Sequence, residues 1–244
     1  MTDAAYRILG NPATADILII GDHAAKDVPS GLDLGLAANA FEEHVAWDIG
    51  VAAVAELVVK KPNFAAFLGK YSRLVVDLNR YADEEAVIAL QSDGYDIPGN
   101  RLTPAARDER LARYYQPYHD RLTQVLRDHQ PALILSLHSF TPQLKSADVE
   151  RPWEISVLYN EQERPSRLAI SYLETLGLHV GDQLPYSGKL LNATMNRHAE
   201  ANEIPYVGIE MRQDLVSNAE GQERFAQILT NMCHFVSERL GIAA

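Results

Sequence analysis

Two histidines stand at the ends of apolar runs, His23 in GDHA after DILII and His138 in LSLHSF after ALI. Neutral imidazole is a good zinc ligand, and the mouth of a strand points its side chain into whatever cleft lies beyond the sheet, so the pair could share one divalent metal. Either histidine alone could equally be a hydrogen-bonded structural residue. A third ligand is offered by His44 and Asp48, which lie four apart in a helical pattern and therefore on one face. That pair has two other readings, a local ion pair or a unit in which Asp48 orients an imidazole. Glu42 and Glu43, just before them, are minor candidates, since acids in a first helical turn ordinarily complement the helix dipole.

Glu210, in VGIEMRQDL, follows an apolar run and precedes a polar loop. A carboxylate placed there can take a proton from an attacking water and hand it to a leaving nitrogen. It can equally pair with Arg212. The stretch YSRLVVDLNR, residues 71–80, brackets an apolar run with Arg73 on one side and Asn79 with Arg80 on the other. Guanidinium binds a carboxylate through a planar fork, so these three read as a clamp for a small anionic substrate. The alternative is that the arginines pair with Asp77, Asp83 or Glu84.

The elements that must position these groups alternate between strand and helix. Apolar runs at 16–21, 64–68, 74–78, 132–137, 155–159 and 207–211 read as strands, most of them buried on both faces. Helical spacing runs from Phe41 to Val59, from Pro104 to about His129 with a bend at Pro117, and from Phe225 to Leu240. The segment 92–103, SDGYDIPGNRLT, carries turn chemistry and reads as a loop. Such alternation predicts an α/β sandwich with a largely parallel sheet, and in those folds ligands collect beyond the carboxyl ends of the strands.

Composition bounds the function. A chain of 244 residues is expected to form one domain over its whole length. Its net charge of −11 makes the surface repel phosphate backbones and anionic lipid, which argues against a nucleic-acid or membrane partner. The lone Cys233 permits no internal disulfide, and the N-terminal stretch has neither the basic nor the apolar region of a signal peptide. A cytoplasmic protein is expected. No heptad or exposed apolar stripe announces an oligomeric state.

The segments GDHAAKDVPSGLDLGL, HVAWDIG, SRLVVDLNR, SDGYDIPGN, LHSFTP, RPWEISVL, GDQLPYS, RHAEA and IEMRQDL, in that order, resemble the N-formylglutamate amidohydrolase family over nearly the whole chain. The resemblance implies a metal-dependent hydrolase of a linear amide bond. The family's namesake reaction turns N-formyl-L-glutamate into formate and glutamate, late in histidine degradation. The chain is also similar to zinc carboxypeptidases and acylamino-acid deacylases, which implies a three-layer sandwich of the phosphorylase/hydrolase type with a mixed, largely parallel central sheet. It further implies one divalent metal, zinc being the expected ion, on His23 and His138. Arg73, Asn79 and Arg80 would hold the substrate carboxylate, Tyr186 would be a further contact, and Glu210 the base. Where carboxypeptidases place a ligand glutamate three residues after the first histidine, this chain has Lys26, so the third ligand falls to His44 or Asp48. A second carboxylate, as in a glutamate substrate, would need Arg212 or Arg101. Deacylation of another N-acyl amino acid, cleavage of a short peptide, and a non-catalytic carboxylate-binding role are the alternatives.

Overall fold

Seven strands form one mixed sheet in the order β1-β3-β2-β6-β9-β7-β8, in a computed structural model that describes residues 4–147 and 149–242. The strands are β1 (Tyr6–Leu9), β2 (Ile17–Gly21), β3 (Phe64–Gly69), β6 (Leu133–Phe140), β7 (Ile155–Leu158), β8 (Val180–Asp182) and β9 (Tyr206–Arg212), while β4 (Gln91–Ser92) and β5 (Tyr95–Asp96) make a separate hairpin. The four central strands, β3, β2, β6 and β9, run parallel. At the edges β1 is antiparallel to β3, and β7 is antiparallel to β9.

Period-two alternation divides the central strands between two apolar layers. Ile17 and Ile19 of β2, Leu133, Leu135 and Leu137 of β6, and Val207, Ile209 and Met211 of β9 point to one layer. There α1 (Val51–Val58), α4 (Glu163–Thr175) and α6 (Ala219–Leu240) cover them; α6 contributes Phe225, Leu229, Met232 and Val236 at helical spacing. Leu18, Ile20, Ile134 and Tyr206 point to the other layer, beneath α3 (Gln116–Asp128) with its buried Tyr118, Leu122 and Val125. Each such aliphatic side chain, fully buried, contributes roughly 1.5–3 kcal/mol. On this second face the upper halves of β6 and β9 carry Ser136, His138, Gly208 and Glu210, all of which line a cleft. The polar interruptions in otherwise apolar strands therefore mark where the helix layer stops and the cleft begins.

Two expected elements differ. The helix predicted over 41–59 is confined to α1, and a short 3-10 turn, Ala38–Glu42, with irregular backbone fills the space before it. Gly50 is the cause: its φ of +87° lies in the left-handed region, and a Cβ there would sit 2.5 Å from Val216 O, so the chain turns sharply where a helix would run on. The run 74–78 is buried but is not a strand. Its backbone bonds are turn-like or reach other loops, with Val75 N donating to Ser72 O and Asp77 N to Val87 O. Hydrophobicity there reported burial only. The helix expected over 104–129 is continuous, as α2 (Pro104–Arg110), a π-helical turn over Leu111–Tyr115, and α3. The wider turn falls just where Pro117 removes an N–H and demands space. Helices α4 and α5 (Ala193–His198) and strands β1 and β8 lie outside the sequence expectations. Among the described residues no helix is long and apolar enough to cross a membrane.

Candidate active site

His23 lies two residues past the end of β2 and His138 lies within β6, its neighbour in the sheet, so adjacency of parallel strands brings the two ring centroids to 5.2 Å from each other. Asp48 arrives from the loop before α1. Its backbone N–H donates to His23 O at 2.9 Å, and Ser139 Oγ donates to Ile49 O at 2.8 Å, which ties this loop to both strands. Asp48 Oδ2 lies 2.8 Å from His138 Nδ1 and 3.5 Å from His23 Nδ1. Single ligand atoms of His23, Asp48 and His138 all fall within 4.8 Å of one another, and all three residues are buried.

This donor set fits a small divalent cation. The edge of a tetrahedron with zinc-length bonds is roughly 3.3 Å, between the two distances from Asp48. His23 Nδ1 is buried with no hydrogen-bond partner. Its Nε2 lies 2.7 Å from Asp77 Oδ1, and His138 Nε2 lies 3.6 Å from Asp22 Oδ2. The Asp77 carboxylate behind His23 fixes ring orientation and raises basicity, the outer support that metal-ligating histidines require, whereas His138 Nε2 and Asp22 Oδ2 are buried without a hydrogen-bond partner. Asp22 is itself anchored, since Tyr118 Oη donates to its Oδ1 at 2.7 Å. The site's charge calls for a cation as well. Burial pushes His23 down, yet with Arg73 opposing them Asp77 and Asp48 still lift it to about 9. Burial likewise opposes ionisation of Asp48 and Asp77, but the neighbouring imidazoles and Arg73 hold both well below the carboxylate range.

Glu210 stands opposite His138 in the register of β6 and β9. Burial, the largest influence, raises its carboxyl to about 7; Asp48 adds to the rise, and His138, Arg73 and His23 oppose it. Glu210 Oε2 has no partner, so the alternative ion pair with Arg212 does not form. Arg212 turns instead to Asp214, with bonds of 2.8 and 3.2 Å, and to Pro152 O, and it does not line the cleft. The close carboxylate two residues on captures it as the chain leaves β9.

Of the two candidates for third ligand, Asp48 joins the histidines. His44 lines the cleft some way along, with Nε2 3.0 Å from Asp93 Oδ2. Because the backbone is not helical there, the two residues share no helix face. Arg73 bridges Asp48 and Asp77 at 3.3 and 3.1 Å, the pairing that was the alternative to a substrate clamp. It still borders the cleft, as do Asn79, Arg80 and Tyr186. Asn79 Oδ1 accepts from Thr194 N at 3.0 Å, which leaves the carboxamide NH2 for further bonding. Arg80 meets Glu84 at 3.3 Å, and both side chains are part-exposed. Tyr186 Oη accepts from Arg151 Nη1 at 3.0 Å.

Several positioning residues escaped the sequence reading. Asp22 sits within a quoted motif, GDHA, yet no spacing rule singles it out; the sequence offers Asp77 only as a partner for the arginines, and its bond to His23 is disclosed by the fold. Arg151 is buried behind Tyr186. Asn100 is buried and donates to both Leu74 O and Ala89 O, pinning the irregular 71–80 segment from outside; Arg110 in turn donates to Asn100.

Known proteins resemble this chain in sequence and fold. The N-formylglutamate amidohydrolase family model matches residues 15–217. A gene product of Agrobacterium tumefaciens with a crystal structure is 31% identical, with 97% of this chain and 96% of that one aligned at a TM-score of 0.89. An N-formylglutamate amidohydrolase from Ralstonia eutropha shares the fold at 19% identity, covering 98% of this chain and 100% of that one with a TM-score of 0.74. No curated protein matches the chain.

Proposed function

The chain belongs to the N-formylglutamate amidohydrolase family and is a hydrolase of amide bonds, and from that premise we propose that it uses one zinc ion to cleave the amide of a small N-acyl amino acid. The observation that carries the reading is the convergence of His23, Asp48 and His138 beside an unpartnered Glu210. His23, Asp48 and His138 would hold the metal. Zinc held there would supply Lewis-acid chemistry, lowering the pKa of the attacking water and polarising an acyl carbonyl. Asp77 keeps the His23 imidazole oriented. Glu210, with a carboxyl near neutrality, accepts the proton of the attacking water and returns it to the departing amine.

Arg80 and the free NH2 of Asn79 bind the substrate carboxylate, which sets the acyl group at the metal end of the cleft. Arg73 holds Asp48 and Asp77 in place and leaves a positive charge facing the developing oxyanion. Tyr186, fixed by Arg151, closes the cleft over the acyl group.

The test uses purified protein loaded with zinc, then a panel of N-formyl and N-acetyl amino acids assayed for released acid and free amine. One equivalent of zinc and turnover that is lost on chelation and regained on adding zinc are expected. A protein that binds these ligands unchanged, indifferent to zinc, would be a carboxylate-binding protein instead.

A further inference from the structure

Asn79 and Arg80 close a buried run that pairs with no strand. Neighbouring strands cannot satisfy its carbonyls, so side chains from other elements must. Leu78 O accepts from His119 Nε2 and from Thr194 Oγ1, each at 3.1 Å, which fills both of its lone pairs. Arg80 O accepts from Tyr115 Oη at 2.8 Å. Between them, Asn79 N donates to Asp77 Oδ1 at 2.9 Å and Asn79 Oδ1 accepts from Thr194 N at 3.0 Å. The backbone is thus fastened on both sides of Asn79.

Two of the fastening groups share one wall behind the cleft. Tyr115, which ends the π-helical turn, and His119 of α3 are four residues apart and so on one face, with ring centroids 4.3 Å apart. Neither lines the cleft itself. His119 Nδ1 lies 2.9 Å from His198 Nε2, and both imidazoles are buried. A carbonyl only accepts, so the proton of His119 sits on Nε2. Burial keeps both rings neutral, and His119 Nδ1 therefore accepts from His198 Nε2. His198, from α5, fixes the tautomer that donates to Leu78 O. Releasing either carbonyl leaves a buried acceptor unpaired and lets the backbone turn towards another donor, which carries Asn79 and Arg80 with it. Groups held in place beforehand gain affinity, so the loss falls on binding and not on bond cleavage.

We propose that His119 and Tyr115 are positioning residues, which hold the backbone of residues 78–80 so that Asn79 and Arg80 meet a substrate carboxylate already aligned. This inference rests on the reading of Asn79 and Arg80 as the carboxylate site.

The test measures kcat and KM of the zinc-loaded protein for N-formyl-L-glutamate. His119→Phe, and Tyr115→Phe, which removes a single hydroxyl, should each raise KM about tenfold while kcat stays within about twofold. His119→Gln, which keeps an N–H donor at similar reach, should restore most of the affinity. In an Arg80→Ala background His119→Phe should add a clearly smaller rise, because the guanidinium it aligns is gone, whereas a general loosening of the fold would add in full. Unchanged KM in both variants, a fall confined to kcat, or no rescue by glutamine overturns the inference. If His119→Phe does not fold, Tyr115→Phe decides alone. Unaltered KM in Arg80→Ala removes the carboxylate reading and this inference together; a raised KM there beside unaltered KM in the other two variants leaves the reading standing and the inference overturned. Should the compound not be turned over, affinity from calorimetry takes the place of KM in each comparison, and absence of binding overturns the inference as well.

Discussion

His138 and Glu210 are register partners on adjacent parallel strands, so an imidazole and a carboxyl leave the same face of the sheet side by side. No loop has to fold correctly to bring them together. Backbone pairing of β6 with β9 sets their separation, and a site built on strands holds its geometry more tightly than one built on loops.

That pairing makes Glu210→Gln a clean test. The amide keeps the shape but loses the proton acceptor. The rate constant for turnover should fall by roughly 10²–10⁴-fold, while zinc content and substrate affinity stay near those of the unaltered protein. Full activity in this variant removes the proton-transfer role.

Asp77→Asn should weaken zinc binding by about 10–100-fold, the usual cost of losing a carboxylate behind a ligand imidazole. Competition with a chromogenic chelator measures it. Asp77 also accepts the backbone N–H of Asn79, so substrate affinity should weaken in the same variant.

A buried imidazole pair away from the metal ligands predicts a pH dependence of stability. His119 Nδ1 lies 2.9 Å from His198 Nε2, and His119 Nε2 donates to Leu78 O at 3.1 Å, so one shared proton suffices while both rings are neutral. Burial drives both down, His198 to about 4 and His119 well below its ordinary value. Folded values below unfolded ones mean that, as pH falls through 6.5, the unfolded chain takes up protons the folded one refuses. Stability should therefore decline between about pH 6.5 and 4, by up to ~1.4 kcal/mol per pH unit for each histidine. His198→Gln should flatten that decline in urea titrations relative to the unaltered protein. The influence of His23, raised to about 9, has the opposite sign, is already complete below its unfolded value, and is common to both proteins.

Gly50→Ala should destabilise by about 1–3 kcal/mol, since it forces a side chain into left-handed backbone and against Val216 O. At roughly 2–4 °C per kcal/mol for a chain of this size, a thermal scan resolves the loss. Zinc affinity should fall alongside, because Asp48 lies two residues before the turn.

How far the sequence discloses this site depends on which force places each residue. His23, His138 and Glu210 are legible because a polar residue interrupting a buried strand has no packing reason to be there. Asp48 is legible as a type but not by its supposed helix; it reaches the histidines through an irregular loop, held by the His23 backbone and the positive φ of Gly50, and periodicity does not register such contacts. Leu74, Val75, Val76 and Leu78 imitate a strand because burial alone selects their types, whereas Leu74 and Val75 bond to Ser72, Leu74 O accepts from Asn100, and Leu78 O accepts from His119 and Thr194. Arg212 shows the converse limit. Its position after β9 suits a cleft, yet a nearer carboxylate two residues on outcompetes any distant one. The seven-stranded sheet was legible for its inner strands, which are long and apolar, and illegible at β1 and β8, which are short edge strands with half their surface outside the core.

The last strand to be synthesised, β9, lies between β6 and β7. While a nascent chain emerges, β6 and β7 must wait with a strand-wide gap between them and their main-chain donors and acceptors unmatched along it. Such open borders invite pairing with other molecules. A ribosome-bound chain halted before residue 206 should thus bind chaperones avidly and show no turnover, since Glu210 and the partner strand of His138 arrive together, in one late closing step.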